Sequence, residues 1–581
     1  MNAHRGTTTA GLAVSGDVQS IAGTADPRQV QFRNFGYAAG ADEAKLYHGL
    51  ETPWATQCLF AKLLRRMSVA SAGGDNTTNE RIPAGYTYLA QFAAHDIIRN
   101  SSLSPLLAAR EAERRNEREE ALLLDVLYGG GPFSNPGLYA VAKPGEVVRS
   151  IMRTGPMAPP SPTAAMAMPA GACPFAMRDL PRFQQGDLSD GSESGRTDVL
   201  VADQRSDDNA NIAQMTALFL HLHNAVAGTL SSSGIPKNDV ELPAGAYLFD
   251  RARRVTTAIY RNVLQNDLLP RLIAKPIWDL YHANGFRPLV DMQPQGVPIE
   301  FSHAAYRLGH AMVRLSYVFN DQHPEGEGLE NVLLNRSSSR PHKFPVSEHW
   351  VADWSHFFQI AGSTPQFSRR IGPTINQVLL SAYSMPILCV GPDSKALDPA
   401  AASQLSEADK AALPDPNASG LLFSDLVRGA IGGLLRLDAL IQQLPQAVLA
   451  VSPLLGDAEK RHQAIRSWLQ GSTVAFTAAE STELAENPPL LLWLLFEAAI
   501  EQGGLCFGTI GSVIVGDVFM ARFAASRAMI EDDPITQDLA ASLFPTGIPR
   551  TMADLILFVA SALNLSDAWP RFITPSTTPG A

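Results

Sequence analysis

Apolar side chains recur at helical spacing through most of this chain, and over residues 85–98 they frame a polar pair. Tyr88, Phe92 and Ile98 supply packing, while Gln91 and His95, four residues apart, project from one face. Asp96, the next residue, points elsewhere. The same period predicts a helix over 51–67, with Trp54, Leu59, Phe60 and Leu63 on its buried side, and helices over 202–230, 247–273 and 302–315. The most apolar run, 489–496, stops at Glu497; it is too short to span a bilayer and reads as a buried helix. Glycine- and polar-rich 73–79 reads as a loop, mixed-charge 108–120 as a solvated face, and 155–198 and 395–420 as surface loops. Residues 1–28 are expected to form a flexible arm and 570–581 a disordered tail. With no repeat and no alternating strand–helix rhythm, the expected class is mainly α: one large helical domain over 29–569 with few or no strands.

Composition narrows the function. The chain has 581 residues, 45% hydrophobic and 18% charged, as in ordinary globular proteins. A net charge of -11 argues against nucleic acid or an anionic membrane surface as main partner. Cys58, Cys173, Cys389 and Cys506 lie far apart, which disfavours a zinc ribbon, a dithiol redox centre or a disulfide scaffold. No sustained apolar core marks the first 23 residues, so the expectation is a soluble, cytoplasmic chain without a secretory signal or transmembrane segment. Gly129-Gly130-Gly131 lacks the ending of a phosphate-binding loop and suits tight packing instead.

Three stretches carry candidate chemistry. The Gln91/His95 pair suits general acid–base work in a dry pocket, because imidazole titrates near neutrality. In 203–224 a polar start with Asp203, Arg205, Asp207 and Asp208 runs into a helix; Arg205 could clamp an anion or peroxide, or simply form a surface ion pair with the acids. His221 and His223, two apart, face different ways and make a poor metal pair. In 304–313, Gly309 beside His310 lets something approach the backbone closely, as an axial haem ligand requires, and Arg307 one turn earlier could reach a propionate. Each histidine alone reads more readily as a satisfied core side chain.

Together the three resemble the animal-type haem peroxidase family (the peroxidase–cyclooxygenase superfamily), and its bacterial members most closely. The family's distal Gln-x-x-Asp-His-Asp pattern appears as Gln91-Phe-Ala-Ala-His-Asp96. Its Asp-x-Arg-x-x-Glu segment, followed by His-Asn eighteen and nineteen residues past the Arg, appears as Asp203-Gln-Arg205 through Asp208 to His223-Asn224. The proximal Arg-x-Gly-His motif appears as Arg307-Leu-Gly-His310, and 489–514 is similar to the closing helix, glycine turn and helix. The resemblance covers most of 83–524 and implies haem, b-type or joined by a single ester, between the two histidine helices. It implies His310 as axial iron ligand, His95 as base then acid toward hydrogen peroxide, Arg205 as stabiliser of developing charge, Gln91 on the distal water or a halide, and a small reductant as second partner.

Four departures modify those implications. The family's esterifying aspartate is Ala94, so that ester cannot form; the esterifying glutamate is the shorter Asp208. The asparagine behind the proximal histidine aligns with Ser467, which would weaken that contact. In the family's calcium loop Leu123 replaces an acid, leaving Asp96 and Asp125, two carboxylates for a cation wanting about six to eight oxygens, so calcium is expected to be weak or absent. The resemblance also leaves a fatty-acid dioxygenase or a non-catalytic haem-binding protein as alternatives; Tyr306 is one position off the tyrosine that the dioxygenases use.

Overall fold

The computed structural model describes residues 30–37, 41–69, 78–99, 115–118, 122–141, 147–157, 177–182, 199–233, 245–290, 296–334, 346–360, 362–381, 389–390, 396–397, 404–412, 420–471, 474–565 and 571–573. Its principal helices are α1 (Pro53–Met67), α2 (Gly85–Ile97), α3 (Ala210–Ser232), α4 (Ala246–Val263), α5 (Lys275–Ala283), α6 (Ile299–His303), α7 (Leu421–Gly432), α8 (Ala458–Gln470), α9 (Leu490–Gln502), α10 (Thr509–Ala525) and α11 (Met552–Ala562). The strands form only two-stranded ladders among the described residues. Two matter below: β1 (Thr78–Pro83) with β4 (Phe367–Arg369), and the hairpin of β2 (Ser316–Tyr317) and β3 (Glu327–Gly328). The mainly α expectation holds.

Local chemistry sets the helix ends. Thr52 caps α1 by accepting from the Ala55 N–H at 3.1 Å, with Pro53 at the first helical position where its missing donor costs nothing. Asn209 caps α3 in the same way through the Ile212 N–H. α3 is buried on every side from Ala210 to His223, the pattern of a central helix rather than a surface one. Phe92 of α2 stacks on Phe219 of α3 (centroids 4.5 Å apart), which locks the two helices together. Leu490 to Ala498 of α9 are likewise buried; the chain turns at Gly503 and Gly504, both at positive φ, before entering α10.

Three expectations are corrected. The single helix over 247–273 is α4, a π-helical turn at Leu264–Leu268 and a last α turn at Leu269–Leu272; Pro270 has no N–H for the regular ladder. The helix over 302–315 is α6, a break at Ala304 (φ -137°, ψ -70°) and a 3-10 helix at Ala305–Met312. The tail from 570 is not wholly loose: the Phe572 carbonyl accepts from the Trp354 N–H at 3.0 Å, and its ring is buried beside Trp354 and under the Arg178 guanidinium. The expected arm at 1–28 lies outside the described residues, as do most of 73–79, 108–120, 155–198 and 395–420.

Candidate active site

Helix α2 supplies the first wall. Its side chains are buried almost throughout, yet Gln91 and Ala94 on one face are only partly covered. His95, 7% exposed, lies beside them, and its Nδ1 has no hydrogen-bond partner among the described residues. Burial first, and then the charge of Arg205, lowers its pKa well below the ordinary 6.5. The imidazole is therefore neutral at neutral pH and able to accept a proton.

Arg205 comes from the short 3-10 turn Gln204–Asp207 ahead of α3. Its guanidinium donates to Asp203 (Nε to Oδ1 3.0 Å, Nη2 to Oδ2 2.6 Å) and to the carbonyls of His95 (3.0 Å) and Ile98 (2.9 Å). It thus caps the C-terminal end of α2, where backbone carbonyls lack helical partners and attract a cation. Arg118 does the same from another side, donating to the His95 carbonyl at 3.1 Å and to Asp203 at 2.5 Å. Burial opposes ionisation of Asp203, but Arg205 and Arg118 hold its carboxyl well below the usual range. Asp208, at the end of the same turn and crowded by protein on most sides, moves the other way: desolvation pushes it up to about 7, with Arg205 opposing.

The 3-10 helix at Ala305–Met312 forms the facing wall. Residues three apart eclipse in this geometry, so Arg307 and His310 share a face. Their side chains are each 23% exposed, while Leu308, Ala311 and Met312 between and beside them are buried. A Cβ on Gly309 would meet nothing within 4 Å, so open space adjoins His310. The Tyr306 hydroxyl donates to the Ala90 carbonyl of α2 at 2.8 Å and spans the two walls.

Behind His310 stands Asp425, a buried acid in the otherwise apolar start of α7. Its Oδ2 lies 2.7 Å from His310 Nδ1, and its Oδ1 is 3.6 Å from Arg307 Nε. Burial works against the ionised form, but His310 and Arg307 hold the carboxyl below its usual range. Ser467, the position expected behind His310, is instead exposed on α8 and accepts from Gln463 at 3.3 Å; the aligned motif pointed to the wrong helix. A lone acid among Leu421, Leu422, Phe423 and Leu426 was the available signal, because a buried carboxylate demands a partner. Arg118 gave no signal of its own.

Asp96 and Asp125 sit where the calcium loop was expected, with other work. The Asp96 carboxylate accepts from the backbone N–H groups of Leu124 (3.0 Å) and Val126 (3.2 Å), and burial pushes it up to about 6. Asp125 pairs with Arg253 at 3.4 Å. Leu122 and Leu124 both hold positive φ here, a conformation that the Asp96 bonds help to impose. His223 is a core residue, between the Tyr128 hydroxyl (3.0 Å) and the Ser150 carbonyl (2.9 Å).

These groups fit a haem. Engagement of His310 Nδ1 by a carboxylate leaves Nε2 for an iron and fixes the ring's orientation, the usual outer-shell arrangement of a metal-ligating imidazole. Open space adjoins Gly309 beside His310, and the orphaned His95 Nδ1 lies on the neighbouring helix α2.

Residues 170–370 match the model of the animal haem peroxidase family. That stretch holds Arg205, Asp208, Arg307 and His310; Gln91, His95 and Asp425 lie outside it. A peroxidase-like protein of Margaritifera margaritifera is 30% identical over 141 residues, 23% of this chain, and the chorion peroxidase of Drosophila melanogaster 26% identical over 161 residues, 26% of this chain. The chain spans only 16% and 19% of those relatives' lengths. Among solved structures, peroxidase A of Dictyostelium discoideum superposes with a TM-score of 0.52 at 12% identity, covering 93% of this chain and 96% of its own. The fatty acid alpha-dioxygenase of Oryza sativa does so with 0.51 at 11%, covering 94% and 91%. The fold is that of the all-α peroxidases. Among the described residues no helix is long and apolar enough to cross a membrane.

Proposed function

We propose that this chain is a haem-dependent peroxidase, which reduces hydrogen peroxide to water with electrons from a small organic or halide donor. The observation that carries the reading is the pairing of His310 with Asp425 at 2.7 Å, on a wall tied to the helix of neutral His95. Haem, when bound, supplies the redox chemistry; His310 would hold its iron and Arg307 one of its propionates. Asp425 orients His310 and takes the hydrogen bond from its Nδ1–H, which makes the other nitrogen a stronger donor. His95 accepts a proton from one peroxide oxygen and delivers it to the departing one, a transfer that a neutral, partly desolvated imidazole can perform. Arg205 sets a positive charge at the end of the same helix and favours the build-up of negative charge nearby. Gln91 shares the His95 face and would hold the distal water or a halide. Asp208, its carboxyl pushed up by burial, is the residue that a single ester link would use, the alternative being b-type haem; Ala94 removes the other link. Asp96, bound to two backbone amides, and Asp125, paired to Arg253, stay the weak calcium candidates.

An absorption spectrum of the purified chain before and after peroxide tests this. A Soret band, a peroxide-induced shift and a fall in turnover of about a hundredfold or more in His95→Ala are expected. Protein that never takes up haem overturns the reading; haem without a peroxide response favours the non-catalytic alternative. A dioxygenase is the second reading, on the fold shared with the Oryza sativa fatty acid alpha-dioxygenase; Tyr306, one position off the tyrosine those enzymes use, does not add to it. Oxygen uptake with a polyunsaturated fatty acid would establish it instead.

A further inference from the structure

A cluster of nitrogen and oxygen ligands lies away from the walls just described. The β2–β3 hairpin turns through residues 320–326, where the His323 N–H donates to the Asn320 carbonyl (3.3 Å) and the Gly326 N–H to the His323 carbonyl (3.1 Å). Buried Asn320 latches this turn to a second segment: its Nδ2 donates to the carbonyls of Glu348 (2.9 Å) and Val351 (2.8 Å). The latch brings the His349 ring face to face with His323, centroids 3.2 Å apart and planes 21° from parallel. Glu325 joins them, its Oε1 3.3 Å from His323 Nδ1. One ligand atom from each of His323, Glu325 and His349 lies within 4.8 Å of the other two.

We propose that His323, Glu325 and His349 bind one divalent transition-metal ion of the zinc type, which cross-links the hairpin turn to the 348–351 segment. Tetrahedral zinc with nitrogen ligands at about 2.0–2.1 Å needs donor atoms roughly 3.4 Å apart, so small rotations of half-exposed side chains close the set. Two imidazoles and one carboxylate select a borderline-soft ion over calcium, which wants about six to eight oxygens. Glu327 and Glu348 add negative charge close to His349. The neighbouring group Asp321, Asp353 and His356 is less suited: Asp353 Oδ1 is engaged by the Ser355 N–H and hydroxyl, and Asp321 pairs with His356 at 2.9 Å. Three protein ligands leave one position for water.

The test is calorimetric titration of the purified, chelator-washed full chain with zinc sulfate, with melting curves at each end. One saturable zinc per chain and a raised melting midpoint are expected; the His323→Ala/His349→Ala double variant loses both, and His356→Ala retains both. Zinc binding by the double variant as in the parent, or no saturable binding in the parent, overturns the proposal. Zinc-edge X-ray absorption on the parent chain gives a check that needs no variant: a first shell with two imidazoles supports the site, and one without imidazole overturns it.

Discussion

Asp425 lies 115 residues beyond His310 in the chain and yet provides the contact that most shapes it. Asp425→Asn keeps the size of the side chain and removes the negative charge. In haem-loaded protein the expected outcome is a lower iron–imidazole stretching frequency by resonance Raman and a higher ferric/ferrous potential, with haem retained. Unchanged values would reduce Asp425 to a packing residue. On the opposite wall, burial and Arg205 keep His95 neutral, so the acid limb of peroxide turnover should fall well below pH 6.5. Arg205→Ala removes the largest of the charges that lower it and should move that limb upward, which a pH–rate profile reads directly. His95, Arg205, Arg307 and His310 stand out in the sequence because each belongs to a short motif with its own spacing. Asp425 does not, because a hydrogen bond between distant segments leaves no local pattern; the alignment to Ser467 followed a local pattern and missed.

At the scale of elements, helices with a steady apolar period were legible: α1 and α2 begin and end within two residues of expectation, while α3 starts eight residues late, behind a 3-10 turn, and α9 runs six residues past the apolar stretch. The helix at 302–315 was not, because the break at Ala304 serves contacts outside it: Tyr306 to Ala90, and His310 to Asp425. Close helix crossings were equally hidden. α10 passes α5 at Gly516, where an added Cβ would lie 2.4 Å from the Tyr281 ring. The Tyr281 hydroxyl is fixed there by Asp517 at 2.7 Å, so the ring cannot step aside. Gly516→Ala should therefore cost about 1–3 kcal/mol by denaturant unfolding.

For the whole molecule, the buried ionisable groups pull stability in opposite directions as pH changes. Burial lowers His221 and His223 to about 4 from 6.5, so their contribution is complete above pH 6.5 and is lost as pH falls toward 4. Burial raises Asp96 to about 6 and Asp208 and Asp517 to about 7, so theirs is complete below about 4 and is lost as pH rises through 6 to 7. His223→Gln should be less stable than the parent at pH 7, and the gap should narrow by up to about 3 kcal/mol on going to pH 4, as measured by unfolding at both values. The mainly α architecture was readable from period and composition alone; which remote segments would meet was not.

The pairing of His310 with Asp425 also bears on the order of assembly. The groups around the proposed cofactor come from residues 91–95, 205–208, 307–310 and 425, so none of the local turns contains a complete binding surface. Long loops must close before the last of these groups arrives, and among the elements that supply them α7 is the last to be synthesised. Pigment uptake would then mark the end of folding, and a chain stopped short of α7 would emerge colourless.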